Sequence, residues 1–197
     1  MKRIAALILL LCLAVTFAAC SSQTKETAAA DETGDKILVA YFSCTGNTAK
    51  VAEYIANILE ADTYEIVPEE PYTSADLNSN ATTTRTSIEQ NDENARPAIS
   101  GSVENMENYN IVFLGYPIWW GEAPKIMLTF LESYDFSGKT IVPFCTSGNV
   151  DVGSSATNLH GSASGSPHWL DGTRFPSNAA RQAIVEWIDE LPIKTHT

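Results

Sequence analysis

Three short stretches carry side chains able to bind a ligand. The first is Ser43-Cys44-Thr45-Gly46-Asn47-Thr48, with hydroxyls at 43, 45 and 48, one glycine and an asparagine suited to capping. It follows the apolar run Ile37–Phe42 and precedes a segment in which Val51, Tyr54, Ile55, Ile58 and Leu59 recur at three-and-four spacing. That pattern is a buried strand turning into an amphipathic helix. Free N–H groups and the positive end of the helix dipole at such a turn favour an anion, so the stretch is suited to phosphate. It lacks a Gly-Lys-Ser/Thr ending and holds a single glycine, which excludes the usual nucleoside triphosphate and dinucleotide loops. The first cation, Lys50, already lies inside the helix. Hydroxyls and backbone amides are left to hold a terminal phosphate.

The second stretch is Tyr116-Pro117-Ile118-Trp119-Trp120-Gly121. Two neighbouring tryptophans in a loop expose at least one large apolar face, and a flat aromatic ligand would cover it. The alternative is that both indoles pack under the following helix. The third stretch, Thr146-Ser147-Gly148-Asn149, is small enough for a ligand to approach its backbone. Taken alone it is simply a turn. His160, His168 and His196 have no metal-ligand spacing, and neither a carboxylate pair nor a Gly-x-Ser-x-Gly turn suited to hydrolysis occurs.

In this order, the three motifs resemble those of the flavodoxin family, and the likeness extends over about residues 36 to 191, most like flavodoxin-like proteins of the bacterial cell surface. The resemblance implies that FMN is the cofactor. Ser43, Thr45, Gly46, Asn47 and Thr48 would take its phosphate. Pro117, Ile118, Trp119, Trp120 and Gly121 would lie against the isoalloxazine ring, with backbone near Gly121 close to flavin N5. Thr146, Ser147, Gly148 and Asn149, with Gly153 beyond them, would face its pyrimidine side. Many flavodoxins stack a tyrosine from this last loop, and none is present here. The implied function is electron transfer, with an FMN-dependent NAD(P)H or quinone-type oxidoreductase and a flavin-free binding module as alternatives. Glu122 and Asp151, flanking the implied ring site, would disfavour an anionic reduced flavin and lower its potential.

The elements that must position these loops alternate strand and helix five times. This predicts an α/β fold, a doubly wound five-stranded parallel sheet of order 2-1-3-4-5 with helices on both faces. Ligands of such sheets sit beyond the carboxyl ends of the strands, where the order reverses. A second strand is expected at Thr63–Val67, stopped by Pro68. Residues 71–100, rich in Thr, Asn and Ser, read as a surface excursion with at most one weak helix. A third strand is expected at Ile111–Leu114, then a helix opened by Pro124. The fourth strand, Lys139–Cys145, contains Pro143 and is expected to be interrupted there. A short helix within Gly153–Gly161, a last strand within Trp169–Phe175, and a helix capped by Ser177 and ended by Pro192 complete the sequence.

The N-terminus stands apart. Met1-Lys2-Arg3, the apolar run Ile4–Phe17 and Ala18-Ala19-Cys20 form a signal-peptide pattern too short to span a bilayer. It resembles a bacterial lipoprotein signal, which implies cleavage after residue 19, lipidation of Cys20 and anchoring outside the cytoplasmic membrane. Ordinary cleavage, with Cys20 incidental, is the alternative. Residues 20–35 read as a flexible tether, 36–192 as the domain and 193–197 as a tail. A formal net charge of −12 disfavours nucleic acid and anionic headgroups and favours a redox partner with a basic docking surface. In the expected strand order Cys44 and Cys145 lie two strand spacings apart, about 9.5 Å and beyond disulfide reach, so both are expected to be free thiols.

Overall fold

The computed structural model describes residues 35–193; the signal and Cys20, nearly all of the tether, and the last four residues lie outside the described part. Its strands are β1 (Ile37–Tyr41), β2 (Asp62–Glu65), β3 (Val67–Pro68), β4 (Ile99–Ser100), β5 (Ile111–Pro117), β6 (Thr140–Thr146), β7 (His168–Trp169) and β8 (Thr173–Phe175). The helices are α1 (Asn47–Leu59), α2 (Arg85–Asn91), α3 (Ile126–Glu132), α4 (Gly153–Thr157) and α5 (Arg181–Glu190). The main sheet is parallel, with β2, β1, β5, β6 and β7 in that order and β8 also pairing β6. With β5 and β6 as its third and fourth strands, and β7 and β8 sharing the fifth place, this is the 2-1-3-4-5 arrangement.

Alternation along each strand builds two cores. Leu38, Ala40 and Phe42 join Val112, Leu114, Tyr116 and Cys145 on one face, covered by Ile126, Met127, Phe130 and Leu131 of α3. Val39, Phe113, Val142 and Phe144 point to the other, covered by Val51 and Ile55 of α1 and Ile184 and Ile188 of α5. Burial on both faces explains why the central strands are unbroken apolar runs.

Local departures from the sequence reading have physical causes. β6 runs uninterrupted through Pro143, and the break falls instead in its neighbour, between β7 and β8. The Leu170 N–H donates to the Ile141 carbonyl and the His168 N–H to that of Lys139, so odd-numbered residues of β6 face the fifth strand. Pro143 therefore turns its missing donor toward that strand alone. The second strand ends at Glu65, short of Val67, and Val67 and Pro68 instead pair antiparallel with β4 in a small second sheet. Ser177 does not cap α5: the helix starts at Arg181, with Ala180 at the N-cap and no side-chain cap bond. The excursion is tightly built, with Thr84 capping α2 by accepting from the Ser87 N–H.

Gly115 marks the tightest point of the sheet. A Cβ there would collide with the fully buried ring of Phe144, which Trp187 holds at a centroid distance of 6.5 Å. Gly115→Ala is therefore expected to lower stability by about 1–3 kcal/mol, read as a lower urea midpoint.

Candidate functional site

Strand β1 ends at Tyr41 and the chain turns through Ser43–Gly46 into α1. Gly46 occupies the N-cap at φ 82°, a left-handed conformation that favours glycine. No side chain caps the helix: Asn47 is its first residue and donates to the Thr45 hydroxyl at 3.2 Å. Asn47 is thus no cap, and the leading N–H groups of a 13-residue helix stay open at the carboxyl edge of the sheet. Beside them the Ser43 hydroxyl is buried without a hydrogen-bond partner, a costly arrangement in a polar turn. Thr48 is buried and shares a 2.8 Å hydroxyl–hydroxyl bond with Thr146.

The loop after β5 separates its two indoles. Trp119 packs edge-on against Phe42 and Tyr72, with centroids 5.4 and 5.2 Å away. Trp120 is 46% exposed. Reciprocal bonds of 2.9 and 3.0 Å between Trp119 and Glu122 close a two-residue turn on Trp120 and Gly121. Both turn residues have positive φ, 49° and 83°, the signature of a type I′ turn. A tryptophan in that region is strained, and such strain persists only where the surroundings impose it. Glu122 is engaged by the Asn158 amide, 3.0 Å from both carboxylate oxygens.

A cleft of about 360 Å³ opens between these loops. Ser43, Cys44, Thr45 and Thr48 line one side, and Pro117, Ile118, Trp119 and Trp120 another. The remaining wall is Leu77, Ser79 and Thr86 of the excursion. Gly46, Asn47 and Gly121 adjoin these walls along the chain without lining the cleft. The third loop is joined to the others from behind. Thr146 bonds Thr48, and its carbonyl accepts from the Ile118 N–H at 3.0 Å. Ser147 closes its own turn with Val150 and gives its N–H to the Phe175 carbonyl at 3.2 Å. Gly148 and Asn149 are exposed, and Gly153 opens α4; none of these lines the cleft.

The excursion's contribution was not legible from composition. Tyr72 reaches Phe42 at 5.9 Å, donates to Glu89 at 2.6 Å and lies 4.2 Å under Arg85, which pairs with Glu89 at 2.7 Å. Burial, then the Glu89 bond, pushes the Tyr72 phenol well above its ordinary range. Only Thr84 as a cap and the Arg85–Glu89 pair at helical spacing could have signalled ordered structure there.

Cys44 and Cys145 are both free. Burial pushes the Cys44 thiol up to about 11, with Arg85 pulling weakly the other way, and raises Cys145 to about 12 with help from Asp151. Neither is an activated nucleophile.

Several solved structures resemble this chain. A flavodoxin family model matches residues 36–191. The crystal structure of a protein from Bacteroides eggerthii named as a flavoprotein is 45% identical, with a TM-score of 0.76, covering 82% of this chain and 100% of that one. One from Bacteroides uniformis, also named as a flavoprotein, is 38% identical, with a TM-score of 0.75 and coverages of 80% and 99%. A flavoprotein in complex with FMN from Lactobacillus acidophilus shares the fold at 21% identity, with a TM-score of 0.59 and coverages of 80% and 100%. Among curated proteins no match is found.

At pH 8 the native thiols are expected to alkylate slowly. For Cys44 the rise from 9.0 to about 11 makes the thiolate about a hundredfold scarcer than in unfolded chain. Because both folded values are raised, the contribution to stability is complete below pH 9 and is lost as pH rises through about 11 to 12. Iodoacetamide labelling with peptide mapping, before and after denaturation, checks the rate at each cysteine.

Proposed function

The chain belongs to the flavodoxin family, and on that premise we propose that it binds FMN in the cleft and serves as an electron-transfer protein. One observation carries the reading: the buried, unpartnered Ser43 hydroxyl lies beside the uncapped start of α1. A dianionic phosphate would accept from both and be favoured by the helix dipole. The volume also suits a mononucleotide cofactor, since ligand sites of this kind run from about 300 to 1,000 Å³.

Each wall would have a distinct task. Ser43, Thr45 and the amides following Gly46 would hold the phosphate, and Thr48, tied to Thr146, would keep the turn rigid. Pro117, Ile118 and the indoles would lie against the ring, with Trp120 offering the uncovered apolar face. The third loop, Thr146 to Asn149, and Gly153 would approach the ring only at its edge. Bound there, FMN would supply one- and two-electron transfer. The protein's part is to orient the ring and exclude water. Leu77, Ser79 and Thr86 would close the remaining wall.

The negative charge of the chain supports a redox partner with a basic docking surface. The Ala18-Ala19-Cys20 pattern supports a lipid anchor at Cys20 outside the cytoplasmic membrane. No helix among the described residues is long and apolar enough to cross a bilayer.

Apo-protein is expected to take up FMN and acquire flavin absorbance, and failure to do so would overturn the proposal. Ser43→Ala is expected to weaken FMN by tenfold or more, from loss of a bond to a charged group worth roughly 1.5–3 kcal/mol, while leaving riboflavin affinity unchanged. Fluorescence titration with both ligands reads the difference. Steady NAD(P)H oxidation with a quinone acceptor would assign the oxidoreductase reading instead.

A further inference from the structure

We infer that Gln90, in the excursion between the second and third strands of the main sheet, is a positioning residue for the flavin-ring side of the cleft. This inference rests on the proposed FMN site. Gln90 lies in the last turn of α2, and its single side-chain amide spans the whole tryptophan turn. Its Nε2 donates to the Trp119 carbonyl at 3.1 Å and to the Ala123 carbonyl at 3.2 Å, while its Oε1 accepts from the Lys125 N–H at 3.1 Å. The partners fix the orientation of the amide, since two carbonyls can only accept and a backbone N–H can only donate.

The three bonds lie on both sides of the positive-φ pair, the strained Trp120 and Gly121. Trp119 begins the turn, Ala123 follows it, and Lys125 precedes the first residue of α3. Since α3 has no side-chain cap from its own N-cap residue, Gln90 also satisfies a donor at that helix start. On the same helix, Thr86 is one turn earlier and lines the cleft. Tyr72, held by Glu89, props Trp119 edge-on from the same segment. The excursion thus holds the Trp119–Glu122 turn by its backbone through Gln90 and by its indole through Tyr72. Without Gln90 the turn would lose the bonds that tie its backbone to α2, and Trp120 one of the constraints that keep it at positive φ.

Two substitutions test the role in the full-length protein. Gln90→Met keeps the length and removes all three bonds. Gln90→Glu keeps the acceptor for Lys125 but, when ionised, sets a carboxylate against two carbonyls; protonated, it regains one donor. The charged groups nearby are Arg85 and Glu89 on α2, paired with each other, and Lys125 and Glu122 on the facing segment. Riboflavin is the probe, because it has no phosphate to titrate and does not draw on the Ser43 loop. Gln90→Met is expected to weaken riboflavin and FMN by the same factor, at least tenfold, and to speed hydrogen exchange of residues 119–122 in the apo-protein. Gln90→Glu is expected to be weak at pH 8 and to recover toward wild type as pH falls to 5, each affinity taken relative to wild type at that pH. Binding by both variants within twofold of wild type, with unchanged exchange, would overturn the inference and leave the proposed function standing. Wild-type protein that takes up neither ligand would overturn the reading on which it rests.

Discussion

The structure depends on a helix start left open. Parallel strands deliver α1 to the carboxyl edge of the sheet with its leading amides pointing outward, and neither Gly46 nor Asn47 closes them off. In a fold of this size an uncapped helix start costs about 1 kcal/mol, and a buried hydroxyl without a partner costs a similar amount. Both lie in the same six-residue turn, at Ser43 and after Gly46. An anion seated there would relieve both at once. The surrounding devices keep that turn from collapsing onto itself: the Thr48–Thr146 hydroxyl bond beneath it and the aromatic contact of Phe42 with Trp119 beside it.

What the sequence made legible follows from how local each signal is. β1, β5 and β6 are buried on both faces, so their side chains had to be uniformly apolar, and the runs Ile37–Phe42 and Ile111–Leu114 stood out. The amphipathic stripe of α1 was equally plain, because Val51, Ala52 and Ile55 meet one sheet face. Loops that follow such strands inherit their position from topology, and so the hydroxyl turn and the tryptophan pair could be assigned to one edge.

The misjudged features are non-local. Pro143 points to a break in its own strand, whereas the absence of its N–H is felt by the neighbour whose carbonyl would have accepted from it. Residues 71–100 have poor helix propensity and few apolar side chains, so beyond the Thr84 cap and the Arg85–Glu89 spacing no local pattern distinguishes them from loose chain. Their order comes from partners far away in sequence: Tyr72 from Phe42 and Trp119, Gln90 from Trp119, Ala123 and Lys125. The third loop was legible only as a place where backbone can be approached closely; that Ser147 also uses its hydroxyl on Val150 and its amide on Phe175 is a set of partners no local pattern announces.

The tiny β3–β4 sheet gives the excursion an architectural freedom the other walls lack. Pro68 pairs with Ile99, and the Glu69 N–H reaches the Ala98 carbonyl at 2.9 Å, so the two ends of a segment of some thirty residues are held together by one clasp. Closing a loop costs only about 0.6 kcal/mol more each time its length doubles. Insertions or deletions in the segment's outer turns, between Tyr72 and Thr84, can therefore reshape the Leu77 and Ser79 side of the cavity while the scaffold beneath keeps its register. Selectivity at that wall is thus separable from the hold that Tyr72 and Gln90 keep on the Trp119–Glu122 turn.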